Sequence, residues 1–154
     1  MADFNLFSPD FERDPTDPEG YDTGMDRFGA KIGAKEIGGS VYHLPPGQSV
    51  CPYHYEYAEE WLIVLEGTPT LRQPSGESVL APGDTVCFPP GPEGAHKVTN
   101  NGSDDARVLM LSVERPPFVA VYPDSDKIGV FPGNRDDNLM VRRESNVDYW
   151  DREK

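Results

Sequence analysis

The stretch GQSVCPYHYEYAEEWLIVLEG, residues 47–67, carries the pattern from which the fold and the chemistry of this chain can be inferred. His54 and Glu56 are two positions apart, and strand side chains alternate between two faces, so both are expected on one face of a strand. Glu60 opens the following apolar run with the same parity. If that face points inward, the carboxylates of Glu56 and Glu60 lie close together in a medium of low dielectric constant.

Carboxylates crowded in such a place stay ionised only when a cation or a shared proton relieves their repulsion. Imidazole and carboxylate groups are common ligands of divalent first-row metal ions. A divalent ion bound by two neutral imidazoles and two carboxylates leaves no net charge in the interior. The pattern therefore favours a metal site, with its histidines among the three in the chain, His43, His54 and His96.

Short β-like runs separated by glycine and proline turns extend on both sides of this stretch. Between residues 47 and 122, turn signals recur about every 8–12 residues, and no segment combines a helical period with a capping residue. This pattern predicts an all-β sandwich or barrel, and the absence of an internal repeat predicts one domain. Strands are predicted at residues 39–44, 50–57, 60–66, 68–73, 77–80, 84–88, 96–100, 106–114 and 118–122.

These residues resemble the two sequence motifs of the cupins, a family of small β-barrels. The first motif is matched by Gly47, His54-x-Glu56, Glu60 and Gly67. The second motif is matched by Gly83, Pro89-x-Gly91, His96 and Asn100. The motifs cover residues 47–100, and the resemblance implies an all-β fold with a single cupin-type jelly-roll β-barrel.

The resemblance also implies a divalent transition metal ion held by three histidines and one glutamate, but Glu56 stands where the family usually has its second histidine. The ligand set implied here is His54, Glu56, Glu60 and His96. Glu56 either binds the metal or lies outside the ligand set as a catalytic residue that moves a proton. Among Mn, Fe, Zn and Ni, the extra carboxylate favours Mn, Fe(II) or Zn.

Three functions are compatible with this site. The resemblance implies a metalloenzyme acting on a small molecule, of the isomerase or epimerase type or of the dioxygenase type. The alternative is a non-catalytic cupin module that binds or senses a small ligand. A scaffold that has lost its metal through the change at Glu56 is the third.

The chain is expected to comprise an acidic arm at residues 1–27, the barrel at residues 28–122 and a C-terminal tail at residues 123–154 that packs on the barrel. The arm is expected to be ordered only if its phenylalanines dock on the barrel. The candidates are Phe4, Phe7, Phe11 and Phe28. His43 lies outside both motifs and is interpreted as structural or exposed.

The charge of the chain bears on its partners. With 27 acidic and 14 basic residues, the net charge is −13, which argues against nucleic acid or an anionic membrane surface as a partner. No apolar run approaches the length of a membrane helix, and the cytoplasm is the expected location. Cys51 and Cys87 are interpreted as small buried residues. A homodimer is expected from the arm and from an exposed face carrying Tyr53, Tyr55 and Tyr57.

Overall fold

The computed structural model describes residues 2–153, and these residues form strands joined by turns and four short 3₁₀ segments. The strands, in chain order, are β1 (Gly24–Arg27), β2 (Ile37–Leu44), β3 (Tyr55–Glu56), β4 (Glu60–Glu66), β5 (Thr70–Gln73), β6 (Gly76–Val79), β7 (Thr85–Phe88), β8 (Lys97–Thr99), β9 (Ala106–Val113), β10 (Phe118–Tyr122), β11 (Lys127–Phe131) and β12 (Leu139–Arg142). The expected all-β fold is confirmed. Among residues 2–153, no helix is long and apolar enough to cross a membrane.

The strands pair in antiparallel fashion in three sheets. The largest has the order β1-β2-β9-β4-β7, the second β12-β11-β10-β3 and the smallest β6-β5-β8. Two isolated bridges, Ser49↔Thr99 and His54↔His96, tie the segment before β3 to the segment around β8. These bridges bring the two sequence motifs together, although 42 positions separate the two histidines.

Alternation along the five-stranded sheet sorts its side chains into two layers. Even-numbered residues of β4 and β9 face the main core. This core contains Leu44, Leu62, Val64, Leu71, Leu80, Phe88, Val98, Ala106, Val108 and Met110. Odd-numbered residues such as Val41 and Leu109 face the opposite side, where Phe28 packs on them. Glu60 has the parity of the inner layer, so β4 directs its carboxylate toward the core.

The N-terminal arm covers part of the outer layer. β1 pairs with β2, and Glu12 forms a further bridge with Met25. Phe28 is buried, and the ring of Phe4 stacks on it at a centroid distance of 4.6 Å. A Cβ atom at Gly39 would collide with the Phe28 ring, so the close approach requires glycine there. Phe7, by contrast, is 70% exposed.

The C-terminal tail extends the second sheet. β11 pairs with β10 along five positions, and β12 pairs with β11. The sequence pattern did not locate these two strands, because their residues mix charges with apolar side chains. The division of the chain at residues 27 and 122 stays a prediction.

Two expectations drawn from the sequence are wrong in detail. The strand predicted at residues 50–57 is reduced to β3, because Pro52 has no N–H to donate to a ladder and only isolated bridges form before Tyr55. The expected exposed tyrosine face is absent from the described residues, since Tyr53 and Tyr55 are buried against Ala95 and Val121.

Of the three tyrosines predicted on that face, Tyr57 is the one that is exposed. The interpretation of both cysteines as buried is also wrong for Cys87, which is exposed on the outer layer of the sheet, while Cys51 is half-buried.

Replacement of Phe28 by alanine should lower the free energy of unfolding by about 3 kcal/mol, because a buried ring is lost and the arm loses its anchor. The measurement is urea denaturation followed by fluorescence. Phe7→Ala is the matched control and should change the stability by less than about 0.5 kcal/mol, since its ring is exposed. Equal effects of the two changes would show that the arm does not dock through Phe28.

Self-association stays a prediction, and the outer layer of the five-stranded sheet is where we expect it. Ile37, Trp61 and Val113 expose 57, 43 and 36% of their surface there, and Ile37 lies directly opposite Val113. Light scattering should give twice the 17.1 kDa of the chain. Trp61→Glu should give a monomer and Tyr57→Glu should not. A wild-type protein that is monomeric at micromolar concentration would contradict the expectation.

Candidate metal centre

Three side chains from two segments of the chain meet at one end of the core. Each of His54, Glu60 and His96 offers one ligand atom, and these atoms lie within 4.8 Å of one another. Oε2 of Glu60 lies 3.7 Å from Nε2 of His54 and 3.8 Å from Nε2 of His96. These distances are too long for direct hydrogen bonds, so the three atoms face a common point without bonding to each other.

His96 is held in one orientation by its own loop and by an aromatic neighbour. Its Nδ1 lies 2.9 Å from the carbonyl oxygen of Gly94, and its ring stacks on Phe88 at 3.6 Å with the planes 5° apart. A carbonyl oxygen can only accept a hydrogen bond, so Nδ1 carries the proton and Nε2 presents a lone pair. Gly94 is required because a Cβ atom there would collide with the Pro89 carbonyl.

His54 is fixed in the same way. Its Nδ1 donates to the carbonyl oxygen of Pro52 at 3.0 Å, and its ring stacks on Tyr122 at a centroid distance of 5.9 Å. The Sγ atom of Cys51 lies 3.4 Å from the same nitrogen. His54 therefore also presents the lone pair of Nε2 toward Glu60.

Burial shifts the protonation equilibria of all three groups toward their uncharged forms. It lowers the pKa of His54, and together with the neighbouring His54 it lowers the pKa of His96 to about 3. Burial, with a further contribution from the charge of Glu56, raises the pKa of Glu60 to about 8. Two imidazole lone pairs and a buried carboxyl group thus surround one point, and together they would stabilise a cation bound there.

Glu56 lies beside this group but outside it. It is half-buried on β3, directly opposite Ala120, and burial raises the pKa of its carboxyl group. Within residues 2–153, its side chain has no hydrogen-bond partner. His54, Glu60 and His96 form the convergent group, and the metal role of Glu56 stays a prediction. His43 lies away from the site and contacts Arg13 and Asp105.

Four residues around the site were not singled out by the sequence pattern for this position. Phe88 and Tyr122 support the two imidazole rings, and Cys51 contacts His54. Tyr42 lines the cavity next to Glu60, and burial, with a smaller contribution from Cys51, raises the pKa of its hydroxyl group to about 12. Tyr42 could have been found from strand parity, because it lies two residues before Leu44 on β2 and therefore points to the same face.

One cavity lies at the site. This inner cavity has a volume of about 100 Å³ and is bounded by Tyr42, Cys51, His54 and Glu60, among others. A larger cavity, the arm chamber, has a volume of about 850 Å³ and is lined mainly by residues between Asp10 and Lys31. None of the three convergent side chains lines the arm chamber, and Tyr42, Val50 and Cys51 form a wall that the two cavities share.

The residues present fit a divalent metal ion. The Nε2 atom of His96 is fully buried and has no hydrogen-bond partner among the described residues, which would be costly without a cation to accept its lone pair. Ligating histidines in proteins usually donate their second ring N–H to a backbone carbonyl or carboxylate, as both rings do here. Two imidazoles and one carboxylate suit Zn, Fe, Mn or Ni.

Comparison with known proteins agrees with the fold. The family model described as "Cupin domain" matches residues 40–112, which include both motifs. A crystal structure from Acidithiobacillus ferrooxidans, of a protein provisionally named a sugar phosphate isomerase, is 25% identical with a TM-score of 0.76, over 84% of this chain and 81% of that one.

Two further crystal structures share the fold at lower identity. A cupin from Silicibacter pomeroyi, named a sugar phosphate isomerase, is 24% identical, with a TM-score of 0.79 and 96% of each chain covered. A polyketide cyclase from Streptomyces resistomycificus is 23% identical, with a TM-score of 0.61, covering 77% of this chain and 83% of that one. No curated protein sequence matches the chain.

The matched domain spans the strands that carry His54, Glu60 and His96, and the structural neighbours share the arrangement of these strands over most of the chain. Residues 40–112 therefore match a cupin domain, and the solved structures share its fold over most of the chain.

Proposed function

We propose that this protein is a divalent-metal-dependent isomerase of a small hydroxy-carbonyl compound of the sugar class. The observation that carries the proposal is the convergence of two imidazole lone pairs and one carboxylate oxygen at one point, beside a small cavity that His54 and Glu60 line.

In this proposal His54, Glu60 and His96 hold the metal ion. When bound, a divalent ion polarises a carbonyl group of the substrate. The chain's own residues then have three tasks. Phe88 and Tyr122 keep the imidazole rings in place, the inner cavity admits only a few atoms of the substrate, and a nearby group moves the proton.

Glu56 is the proposed proton carrier. Its carboxyl group is half-buried and close enough to Glu60 for its charge to help raise the pKa of Glu60, and it lines a cavity of about 370 Å³ on its other side. In an isomerisation, a carboxylate takes the proton of one carbon and returns it to the neighbouring carbon, while one hydrogen moves between the two oxygens. The reaction needs no oxidant, since product and substrate are at the same oxidation level.

The neighbour from Acidithiobacillus ferrooxidans supports the reaction class, because it is provisionally named a sugar phosphate isomerase and covers most of the chain. The dioxygenase type of chemistry requires redox-active iron. Iron as the only metal bound after purification without chelator would therefore move the proposal to oxygen chemistry. A protein that binds a sugar without converting it would instead fit the ligand-binding alternative.

Replacement of His96 by alanine should abolish metal binding, because it removes one of three ligands and half of the imidazole donors. The measurement is metal content by mass spectrometry after purification without a nickel column. In the wild type, metal at about 100 times its Kd should add about 2.7 kcal/mol to the free energy of unfolding. His43→Ala is the control and should keep the metal.

The isosteric change Glu60→Gln provides a second variant in which the core volume is preserved. It should also lose the metal while its circular dichroism stays that of the wild type. Full metal content in either variant would remove that residue from the site.

Replacement of Glu56 by glutamine should leave the metal bound and lower kcat by about 100-fold or more, because proton transfer by a placed side chain contributes about 10²–10⁴-fold. Incorporation of solvent deuterium into the sugar carbon should fall in parallel. Glu59→Gln, the exposed neighbouring carboxylate, is the control and should retain activity. Loss of metal from Glu56→Gln would show that Glu56 is a ligand instead.

A further inference from the structure

The inner cavity is the space that borders the metal ligands. It is lined by His54 and Glu60, two of the three convergent side chains, and by Gly38, Ser112 and Glu114 among others. Gly38 and His54 are buried, whereas Glu114 is exposed. The cavity therefore runs from the ligand group to the surface of the protein, and Glu114 lies at its mouth.

The strand pairing places Ser112 next to Glu60. Ser112 lies directly opposite Glu60 in the β9–β4 pair and directly opposite Gly38 in the β9–β2 pair. Residues opposite each other in an antiparallel sheet point to the same face, with their Cβ atoms about 4.5–5.5 Å apart. The hydroxyl group of Ser112 is therefore a neighbour of the Glu60 carboxyl group on the wall of the cavity.

Glu114 extends this face of the sheet to the surface. It follows the last residue of β9, and its backbone N–H donates to the carbonyl oxygen of Glu36 at 2.9 Å, so the pairing of the two segments continues past the strand. Glu114 is two positions after Ser112 and has the same parity. Its carboxylate lies over Gly38, where a Cβ atom would collide with Oε1. The missing side chain of Gly38 thus makes room for a second carboxylate in the cavity.

The lining of the inner cavity offers hydroxyl and carboxyl groups and no positive charge. Its hydroxyl groups belong to Ser40, Tyr42 and Ser112, and within the part of the chain that the structure describes no lysine or arginine lines it. Arg27 and Lys97 act electrostatically on Tyr42 and Cys51 respectively, but neither of these cations lines the cavity. The cavity is therefore polar and acidic.

These charges determine which ligand the cavity accepts. When a divalent ion is bound, the negative charges of Glu60 and Glu114 balance its two positive charges. A phosphate group in the same cavity would have no cation of the chain to pair with, and placing like charges side by side strongly opposes binding. A hydroxyl group is neutral and can donate a hydrogen bond to a carboxylate, which is one of the stronger hydrogen bonds in proteins.

We propose that the metal site selects an uncharged polyhydroxy ligand and excludes its phosphorylated counterpart. Glu114 accepts a hydrogen bond from one hydroxyl group of this ligand, Ser112 contacts a second, and the charge of Glu114 repels phosphate. The inference rests on the proposed function for the position of the substrate beside the metal ligands. It differs from the names of the structural neighbours, which refer to a sugar phosphate. Glu114 is thus a specificity-determining residue that takes no part in moving the proton.

The probes are ribitol and ribitol 5-phosphate, which carry the hydroxyl groups of a sugar but no carbonyl group, so they bind without being converted. Their Kd values are measured by titration calorimetry on the full-length, metal-loaded protein. The wild type should bind ribitol at least about 10-fold more tightly than ribitol 5-phosphate, because the carboxylates repel the phosphate. Added salt should narrow this difference, since it screens the repulsion.

Glu114→Gln removes the charge and keeps the size of the side chain. It should weaken the binding of ribitol by roughly 10–100-fold, the loss expected for a hydrogen bond to a charged group, and it should reduce the preference for ribitol over ribitol 5-phosphate. Glu59→Gln is the matched control, because it removes the same charge from an exposed carboxylate that accepts a hydrogen bond from Trp61 on the outer layer. It should change neither Kd.

Gly38→Ala tests the position of the Glu114 carboxylate while keeping its charge. The added Cβ atom would displace the flexible end of the Glu114 side chain, so ribitol binding should weaken as in Glu114→Gln, with an unchanged circular dichroism spectrum. Ser112→Ala should weaken ribitol binding by about 3–10-fold, the loss of a hydrogen bond between neutral groups. Metal content is measured in every variant and should stay that of the wild type.

The two proposals fail in different ways. Ribitol 5-phosphate that binds as tightly as ribitol, or a Kd for ribitol that is unchanged in Glu114→Gln, overturns the selection by Glu114 even when a sugar is isomerised. Loss of the metal from Glu114→Gln also overturns it, because Glu114 would then be a ligand. A preference for ribitol that depends on Glu114 supports the inference even when no sugar is isomerised, and in that case the proposed reaction fails alone.

Discussion

Two hydrogen bonds between histidine rings and backbone carbonyls determine what the rest of this site can do. Pro52 and Gly94 each place a carbonyl oxygen against the Nδ1 atom of the histidine two residues later. Because the carbonyl can only accept, both rings keep their proton on Nδ1 and turn an unprotonated Nε2 toward Glu60. Without these contacts the rings could rotate, and the buried lone pairs would not meet at one point. The orientation of the ligands is thus fixed before any ion binds.

The five-stranded sheet determines where Glu60 lies relative to the two histidine rings. β4 lies between β9 and β7, and its alternation sends Glu60, Leu62 and Val64 inward while Ile63 and Leu65 face outward. The carboxylate is therefore placed at the end of an apolar row, where burial opposes its ionisation. A cation would relieve that cost, which connects the packing of the core directly to the chemistry of the site. The same alternation on β2 brings Tyr42 to the site from the other side of β9.

The parts of the chain outside the matched domain contribute as much to the cavity as the domain does. The arm supplies most of the lining of the large chamber, and the 3₁₀ segment of the tail brings Arg135 to the same space. The acidic arm is accordingly a structural wall, although its composition resembles that of a solvated segment.

The sequence by itself determined the all-β fold and most of its strands, the inward parity of Glu60, and the candidacy of His54 and His96, because alternation and turn residues act over a few neighbouring positions. It could not decide whether Glu56 joins the ligands, since His54 pairs with His96 while Glu56 pairs with Ala120, and these long-range partners set where each side chain lies. Nor did it indicate β11, β12, the stacking of Phe88 on His96 or the place of Glu114. Those features depend on which distant segments pair and in what register. Register is set by packing over the whole sheet, so it is visible only in the tertiary structure.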